Sequence, residues 1–249
     1  MTSLNTLKNE IHLWCVNTSD LDYKIAKKHL ICDLSADEIA KCNAYFFEKD
    51  KLSCLIGKSL VRRMLSYYYP QIKPYEWCFS IAKYGKPVAN HEQVSTAFSF
   101  NLSHSREFVV CAACCFGDIG VDVEYIRKME DMDSVAQNFS GCETEAIRRV
   151  QGHDKLELFY RIWTLKEAYV KAIGLGLTVP LSDFGFEFSD TDNIVLHVDS
   201  IPASNNSICF WSFDAPKEGY KLAVAVNNAE RNDAVLRFME LNEWHFCKD

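Results

Sequence analysis

Apolar and polar residues follow two different spacings along the first half of the chain. Short runs of apolar or alternating residues, bounded by turn residues, predict β-strands. The strands predicted in this way are residues 10–16, 77–81, 97–102, 107–116 and 120–125. Between the first two of them, Ser35 and Glu38 have the spacing of a capping box, and apolar residues then recur at helical spacing through Leu65. We therefore expect a long helix that begins after Ser35 and ends near residues 67–70.

The second half shows the same two spacings. Ser140 and Glu143 form another capping box ahead of a short helix, and residues 155–173 form the longest helix of this half, which ends at Gly174. Four antiparallel strands are predicted at residues 184–188, 194–198, 207–214 and 220–226. Because strands and helices are interleaved without strict β-α-β alternation, the pattern favours an α+β fold. We expect two tightly packed halves that meet near residues 116–120, with a cleft between them.

Composition narrows the class of protein. The 249 residues are 48% hydrophobic and 24% charged, with 10 glycines and 6 prolines, which is typical of a globular protein of one or two domains. The net charge of −7 counts against a nucleic-acid binder. The N-terminus lacks the pattern of a signal peptide, and no apolar run reaches the roughly 18 residues of a membrane span. We therefore expect a cytoplasmic protein that does not contact a membrane.

Eleven cysteines, an odd number, are scattered along the chain. The densest group consists of Cys111, Cys114 and Cys115. A CxxC pair can form half of a zinc site, but no second CxxC or HxxxH pair accompanies this one. The small and apolar neighbours of the group instead indicate reduced thiols in a buried strand, as expected in the cytosol.

A pair of carboxylates lies on the strand predicted at residues 120–125. Asp122 and Glu124 are two residues apart, so both side chains point to one face, while the intervening valines point to the other face and into the core. Two like charges on one face repel each other unless a cation lies between them, and Mg²⁺ prefers oxygen ligands of this kind. The alternative is the solvated outer face of an edge strand.

A third carboxylate and a lysine lie on the long helix of the second half. Glu167 and Lys171 are four residues apart and share a face, as an ordinary exposed Glu–Lys pair would. Trp163, one turn earlier on the same side, argues against full exposure because a large aromatic residue is seldom placed on a solvated stripe. Glu167 and Lys171 are therefore candidates for a half-buried polar site.

Two turn-like segments and a basic region supply further polar candidates. Residues 100–105 combine amide, hydroxyl and imidazole groups that suit phosphate oxygens, although ordinary turn formation would explain them too. Residues 84–87 predict a turn that presents Lys86. The first half is locally basic, which indicates either solvated surface or an anionic ligand held mostly by this half. Its basic residues are Lys24, Lys27, Lys28, His29, Lys41, Lys49, Lys51, Lys58, Arg62 and Arg63.

Together these motifs resemble those of the 4′-phosphopantetheinyl transferases, specifically the larger, surfactin-synthetase-activating type. The matching segments are, in chain order, residues 84–87, 100–104, 120–124 and 163–171. A weaker match is Lys41, nine residues before Asp50. The resemblance implies an α+β fold of two similar α/β halves related by a pseudo-two-fold axis. Residues 1–117 would form the half with coenzyme A phosphate and adenine contacts, and residues 118–249 the half with a magnesium site and a catalytic helix.

The resemblance also implies an activity and a set of site residues. The activity is transfer of 4′-phosphopantetheine from coenzyme A to a serine of an apo acyl or peptidyl carrier protein, with release of adenosine 3′,5′-bisphosphate. By position, Asp122, Glu124 and Glu167 match the magnesium ligands, and Glu167 and Lys171 match the catalytic residues. The residues matching coenzyme A contacts are Lys41, Lys86, Asn101, Ser103, His104, Asp122 and Lys171. The chain departs from some members of the family at Glu38, Ser53 and Cys54, where those members have further phosphate contacts.

The implied mechanism rests on positioning and on stabilisation of negative charge. Magnesium would offset charge on the leaving group, Lys171 would stabilise the attacked phosphate, and either Glu167 or a metal-bound water would accept the serine proton. Two other readings stay open: a non-catalytic coenzyme A-binding protein of the same fold, and a magnesium-dependent nucleotide phosphodiesterase. Two similar halves within one chain favour a monomer.

Overall fold

The structure of the protein, a computed structural model, describes residues 4–82, 85–90, 92–94, 97–188, 194–198, 207–227, 229 and 233–239. The first half consists of β1 (Glu10–Asn17), α1 (Tyr23–Leu30), α2 (Ala36–Asn43), α3 (Glu48–Tyr68), β2 (Phe79–Ile81), β3 (Pro87–Ala89), β4 (Ser99–Ser105) and β5 (Phe108–Cys114). The second half consists of β6 (Asp118–Tyr125), α4 (Met132–Ala136), α5 (Gly141–Arg149), α6 (Gly152–Ile173), β7 (Phe184–Phe188), β8 (Ile194–Val198), β9 (Ile208–Asp214), β10 (Tyr220–Asn227) and β11 (Val235–Met239).

Local sequence signals set several helix ends. Ser35 and Ser140 are the N-caps of α2 and α5, and each forms the capping box expected from a glutamate three residues later. Helix α6 ends at Gly174, whose φ of 68° is the left-handed conformation that glycine adopts without a steric penalty. These predicted ends are confirmed.

The long helix predicted after Ser35 is wrong in one respect, because the structure has two helices there. The chain leaves helical geometry after Asn43 and re-enters it at Glu48, with Phe47 in extended backbone geometry as the N-cap. The break allows α2 to fold back onto α3, where the Glu38 carboxylate accepts a hydrogen bond of 2.9 Å from Arg62 Nε. Helical spacing of apolar residues on both sides of the break gave no sign of it.

A four-stranded mixed sheet, a three-stranded antiparallel sheet and two small hairpins contain the described strands. The first sheet has the order β11-β1-β5-β4, with β11 parallel to β1, and the second has the order β6-β10-β9. Strands β2 with β3 and β7 with β8 form separate hairpins, so the four predicted strands of the second half do not share one sheet. The α+β class is confirmed, and a long helix packs against each of the two larger sheets.

Hydrophobic clusters on the faces of the two larger sheets hold these layers together. Leu60 and Met64 of α3 pack with Trp14 on one face of the first sheet, and Leu165 and Ala168 of α6 pack on one face of the second. The remaining faces of the two sheets share a third cluster. The predicted burial of Cys111 and Cys114 in a strand is confirmed, since both lie fully buried on β5. In the described part of the chain, no helix is long and apolar enough to cross a membrane.

The two sheets are also joined edge to edge by side chains. Strand β6 is an edge of its sheet, and its outward backbone N–H groups need acceptors. Alternate side chains of β4 supply these acceptors: Ser99 Oγ for Ile119, Asn101 Oδ1 for Val121, Ser103 Oγ for Val123 and Ser105 Oγ for Tyr125, at 3.0–3.4 Å. We call this set the β4–β6 ladder. It places the polar side chains of the first half beside the carboxylates of the second.

Candidate active site

A cavity of about 350 Å³ opens where the β4–β6 ladder meets helix α6. Strand β4, strand β6 and helix α6 each contribute side chains to it. The lining residues are Leu102, Ser103, His104, Asp122, Glu124, Trp163, Glu167 and Lys171. The structure therefore brings together both carboxylates of β6, the carboxylate and lysine of α6, and the Ser-His pair, which are far apart in the sequence.

Gly120 permits the close approach of helix and strand on which the cavity depends. A Cβ atom at this position would lie 2.1 Å from the backbone oxygen of Ala168 and 2.5 Å from the backbone nitrogen of Ala172. Because Asp122 and Glu124 follow at intervals of two on the same strand face, this contact aims both carboxylates at the same helix. The glycine of the Gly-Val-Asp-Val-Glu segment is thus a steric requirement of the site.

Asp122 is the most buried carboxylate of the cavity. Its Oδ1 atom lies 2.6 Å from Lys171 Nζ and accepts a hydrogen bond of 2.9 Å from Ser103 Oγ. Lys171 Nζ also donates to Ser103 Oγ and to the backbone oxygen of Val121, each at 3.1 Å. The other carboxylate oxygen, Asp122 Oδ2, is buried and has no hydrogen-bond partner. A buried carboxylate oxygen without a partner is costly, so this atom is suited to bind a cation.

Glu124 and Glu167 are half-buried, and the negative charge of Asp122 disfavours the ionised form of each carboxyl group. Burial, and next the negative charge of Asp122, raise the pKa of each carboxyl above its usual range. Glu167 contributes a smaller part of the increase in the pKa of Glu124. Ser105 Oγ, a member of the β4–β6 ladder, donates a 2.8 Å hydrogen bond to Glu124 Oε2. The cavity therefore holds three mutually repelling carboxylates against one ammonium group.

This donor set fits a hard divalent cation. Oxygen ligands from carboxylates are the ligands that Mg²⁺ prefers, and the partnerless Asp122 Oδ2 atom belongs to the set. As arranged here, the three carboxylates do not converge on one point: within the described ranges, no group of three or more His, Cys, Asp or Glu side chains has the arrangement of a metal site. Lys171 instead supplies the positive charge beside Asp122 Oδ1.

Ser103 and His104 lie on a strand and not in the turn predicted for them. In strand β4, Ser103 pairs with Val110 and His104 with Val109 of β5, and the turn comes later, at Arg106, whose φ is 48°. The strand continues because the β4–β6 ladder and the backbone bonds to β5 satisfy its polar groups on both sides. Ser103 is buried in the cavity wall, and His104 lies exposed at the rim.

The remaining predicted contacts lie outside this cavity. Lys86 Nζ donates to the backbone oxygens of Ile119 at 2.9 Å and Lys171 at 3.3 Å, and burial lowers the pKa of Lys86. It lines a neighbouring cavity of about 460 Å³. Asn101 is buried in the β4–β6 ladder, and Lys41 is exposed on α2. Tyr84, in the same predicted turn as Lys86, lies outside the described residues.

Sequence reasoning missed one residue that contacts a carboxylate of the site and one that lies behind it. Ser105 was part of the polar segment but received no role, although its spacing of two from Ser103 on a strand would have indicated the same face. Lys166, next to Glu167, points away from the cavity: its Nζ atom lies 2.8 Å from Glu143 Oε2 and donates to two backbone oxygens. No local signal indicated this buried ion pair, because Glu143 lies 23 residues earlier in the sequence.

Two family profiles together match most of the chain. The profile of the 4′-phosphopantetheinyl transferase superfamily matches residues 118–225, and that of the N-terminal part of 4′-phosphopantetheinyl transferases matches residues 23–116. The 4′-phosphopantetheinyl transferase HetI of Nostoc sp. is 32% identical over 176 residues, 70% of this chain and 73% of the relative. The 4′-phosphopantetheinyl transferase Sfp of Bacillus subtilis is 28% identical over 191 residues, 77% of this chain and 81% of the relative.

Solved structures with some likeness to the chain cover less of it. A holo-(acyl-carrier-protein) synthase from Bacillus anthracis, in complex with CoA (3′,5′-ADP), is 21% identical. The match has a TM-score of 0.38 and covers 45% of this chain and 96% of that chain.

Proposed function

Because the chain belongs to the 4′-phosphopantetheinyl transferase superfamily and is an enzyme of that kind, we propose that it transfers 4′-phosphopantetheine from coenzyme A to a serine hydroxyl of an apo acyl or peptidyl carrier protein. The serine oxygen forms a bond to the phosphorus on the pantetheine side of the pyrophosphate, and the bond from that phosphorus to the bridging oxygen breaks. The serine hydroxyl loses its proton, and adenosine 3′,5′-bisphosphate leaves with the bridging oxygen. The observation that carries the proposal is the cavity in which three carboxylates and Lys171 meet.

We assign Asp122, Glu124 and Glu167 as ligands of a magnesium ion. The partnerless Oδ2 atom of Asp122 and the mutual repulsion of the three carboxylates support this assignment. When bound, the ion would supply positive charge to the pyrophosphate oxygens and to the leaving group. The residues of the chain then have the tasks of binding, orienting and deprotonating the two substrates.

Lys171 and Glu167 are the proposed catalytic residues. Lys171 Nζ already lies against Asp122 and Ser103, so a small movement of this long side chain would bring its charge to the attacked phosphate. Glu167, one turn earlier on the same helix face, accepts the serine proton either directly or through a water molecule.

The proposed coenzyme A contacts extend from this cavity into the first half. Ser103 and His104 bind phosphate oxygens at the wall and rim of the cavity, with Asp122 and Lys171 beside them. Further contacts are assigned to Lys86, Asn101 and Lys41. Of these, Asn101 already uses its side-chain oxygen in the β4–β6 ladder, which leaves its amide nitrogen as the group that could donate to a ligand.

We also propose the division of labour between residues 1–117 and 118–249, with the first half holding the phosphates and adenine and the second the magnesium site. Strand β11 belongs to the second half in sequence but pairs with β1 of the first sheet. A cytoplasmic monomer is proposed as well, and the ten cysteines of the described residues, which are all free thiols, are consistent with a reducing compartment.

The test is transfer to a panel of apo carrier proteins. The enzyme is incubated with coenzyme A, Mg²⁺ and each carrier, and intact mass spectrometry then measures the gain of one phosphopantetheine per carrier. Loss of a metal ligand in Asp122→Ala should lower the transfer rate by about a hundredfold or more. The matched control is Glu130→Ala, which removes an exposed carboxylate away from the cavity.

Three results would contradict parts of the proposal. Hydrolysis of coenzyme A without an adduct on any carrier would favour a phosphodiesterase. Tight coenzyme A binding with neither product would favour a non-catalytic binder. Undiminished transfer by Asp122→Ala, or by enzyme in excess EDTA, would contradict the magnesium assignment while leaving the transfer activity in place.

A further inference from the structure

The ammonium group of Lys171 occupies the inner end of the cavity, beside Asp122. Its Nζ atom lies 2.6 Å from Asp122 Oδ1 and donates hydrogen bonds of 3.1 Å to Ser103 Oγ and to the backbone oxygen of Val121. All three acceptors belong to strands β4 and β6. A positive charge surrounded by several oxygen atoms is also what a divalent cation forms in a protein, so Lys171 lies where such a cation would be attracted.

The carboxylates of the cavity need a positive charge near them. Asp122, Glu124 and Glu167 all line the cavity, and the side chain of Asp122 is only 6% exposed. Among the described residues that line this cavity, Lys171 is the one lysine or arginine. A buried carboxylate without a cation is costly, so the ion pair with Lys171 stabilises Asp122 as long as no other cation is bound.

The backbone of Lys171 is held in place, but its side chain is not. Lys86 Nζ donates a hydrogen bond of 3.3 Å to the backbone oxygen of Lys171, and a Cβ atom on Gly120 would lie 3.0 Å from the Lys171 carbonyl carbon. The side chain is 28% exposed and carries its charge on a flexible four-carbon stem. The ammonium group can therefore move toward the open side of the cavity while α6 keeps its contact with β6.

A divalent cation at Asp122 would compete with Lys171. The Oδ2 atom of Asp122 is buried without a hydrogen-bond partner, whereas Oδ1 already bonds to Lys171 and Ser103. Both oxygens belong to one carboxylate, so an ion bound at Oδ2 would lie close to the ammonium group at Oδ1. Two positive charges at such short range repel each other, most strongly where water is scarce. Binding of the ion should therefore weaken the pair between Lys171 and Asp122.

We propose that Lys171 is the built-in counter-ion of Asp122 and exchanges with the magnesium ion, so that the lysine neutralises this carboxylate without the metal and leaves it when the metal binds. The inference rests on the proposed function, because it takes Asp122 as a magnesium ligand. Once released, the ammonium group of Lys171 is available to a phosphate oxygen of coenzyme A. Binding of the metal and binding of coenzyme A then favour each other through one side chain, and this coupling is reciprocal.

The first experiment measures how fast acetic anhydride acetylates Lys171 in the wild-type protein. The protein is treated with EDTA, dialysed and labelled with and without saturating Mg²⁺, in the absence of coenzyme A, and peptide mass spectrometry gives the extent of reaction at each lysine. Release from Asp122 makes the amine available, so labelling of Lys171 should rise about threefold or more. Lys155 lies on the same helix and pairs with the surface carboxylate of Asp133 at 2.7 Å. It is the internal reference and should react equally in both samples.

The second experiment measures Mg²⁺ binding by isothermal titration calorimetry, again without coenzyme A. Lys171→Met should bind Mg²⁺ about tenfold more tightly than the wild-type protein or better, because a site that is closed for about nine-tenths of the time loses a factor of ten in apparent affinity. The matched control is Lys155→Met, which makes the same substitution elsewhere on α6 and should bind Mg²⁺ as the wild-type protein does.

Either of two results would overturn the exchange. Unchanged labelling of Lys171 with Mg²⁺ bound would show that the lysine stays on Asp122, and equal Mg²⁺ affinities of the wild-type protein and Lys171→Met would show that the lysine does not compete. Both results are compatible with transfer to a carrier protein, so the proposed function would stand. Absence of Mg²⁺ binding to any of these proteins would instead contradict the metal assignment together with the exchange. The labelling needs only the wild-type chain, so a misfolded variant does not affect it.

Discussion

Ser103 and Ser105 each connect strand β6 to a carboxylate of the cavity through one hydroxyl group. Each accepts a hydrogen bond from a backbone N–H of β6 and donates one to a carboxylate, Ser103 to Asp122 and Ser105 to Glu124. The same side chains therefore join the two sheets and orient two proposed magnesium ligands. A change in either serine should affect both the junction and the site.

Ser105→Ala should weaken the response to Mg²⁺ more than the binding of coenzyme A. Glu124 would lose a hydrogen bond to a charged group, which is worth roughly 1.5–3 kcal/mol, so the Mg²⁺ concentration for half-maximal transfer should rise about tenfold or more. Ser105→Thr keeps the hydroxyl and should restore the response. Ser99→Ala removes a ladder hydroxyl that contacts no carboxylate in the cavity. Equal Mg²⁺ responses in Ser99→Ala and Ser105→Ala would refute a positioning role for Ser105.

Lys41→Ala tests the proposed contact to the 3′-phosphate of coenzyme A. Lys41 is exposed on α2, so its removal should leave the fold intact. Loss of a charge-assisted hydrogen bond of roughly 1.5–3 kcal/mol should raise the KM for coenzyme A by about ten- to a hundredfold. Dephospho-coenzyme A lacks that phosphate and should be used with a nearly unchanged KM. If both substrates lose equally, Lys41 has no role at the 3′-phosphate.

At the scale of secondary-structure elements, α6 carries charged side chains with different roles on two of its faces. One face carries Glu167 and Lys171 into the cavity, and another carries Lys166 to the buried carboxylate of Glu143. Glu143 in turn accepts hydrogen bonds from Ser140 at the start of α5 and from the backbone N–H of Phe186 in β7. The buried pair thus ties α5, α6 and β7 together behind the site.

Lys166→Met should destabilise the protein by about 3–5 kcal/mol, because it leaves the Glu143 carboxylate buried without a cation. Urea unfolding monitored by circular dichroism measures the change. The double variant Lys166→Met/Glu143→Gln removes the uncompensated charge and should recover part of the loss. Arg149→Met, which breaks an exposed pair with Glu145, should cost about 0.5 kcal/mol or less. A similar small cost for Lys166→Met would show that the buried pair is not a structural tie.

Gly120→Ala should disturb the contact between β6 and α6. The added Cβ would lie 2.1 Å from a backbone oxygen of the helix, so strand and helix would have to move apart. Overpacking of this kind costs about 1–3 kcal/mol or more, and the shift should lower transfer activity as well. The matched control is Gly141→Ala at the start of α5, where a Cβ would meet nothing within 4 Å. If the Gly120→Ala variant were as stable as the wild-type protein, the close contact of β6 with α6 would not require glycine at this position.

At the scale of the whole molecule, the two halves are joined by a shared core and by the β4–β6 ladder. The facing sides of both sheets contribute to one hydrophobic cluster, which includes Val110 of the first sheet and Val121 of the second. Unfolding of one half would expose the core face of the other. We therefore expect a single cooperative unfolding transition.

Asn101→Ala should weaken this junction from its centre. The backbone N–H of Val121 would lose its acceptor while staying buried, at a cost of about 1–3 kcal/mol. The unfolding midpoint should fall while the transition stays single. Asn138→Ala, at an exposed surface position, is the control and should change little. Two separated transitions in Asn101→Ala, or an unchanged midpoint, would argue against the ladder as a joint between the halves.

The sequence by itself determined the features whose causes are local. The capping boxes at Ser35 and Ser140 set helix starts because all their hydrogen bonds lie within one turn. Spacings of two along β6 and four along α6 determined that Asp122 shares a face with Glu124, and Glu167 with Lys171. The family resemblance rested on the same local segments.

Only the tertiary structure decided features that depend on contacts between distant segments. Helical spacing could not reveal the break after Asn43, because the packing of α2 back onto α3 stabilises it. The pairing of Lys171 with Asp122, 49 residues apart, follows from the close approach of α6 to β6. Likewise, strand β11 pairs with β1 across most of the chain. In each case the free energy comes from groups that meet only when the chain folds, so no window of the sequence contains both partners.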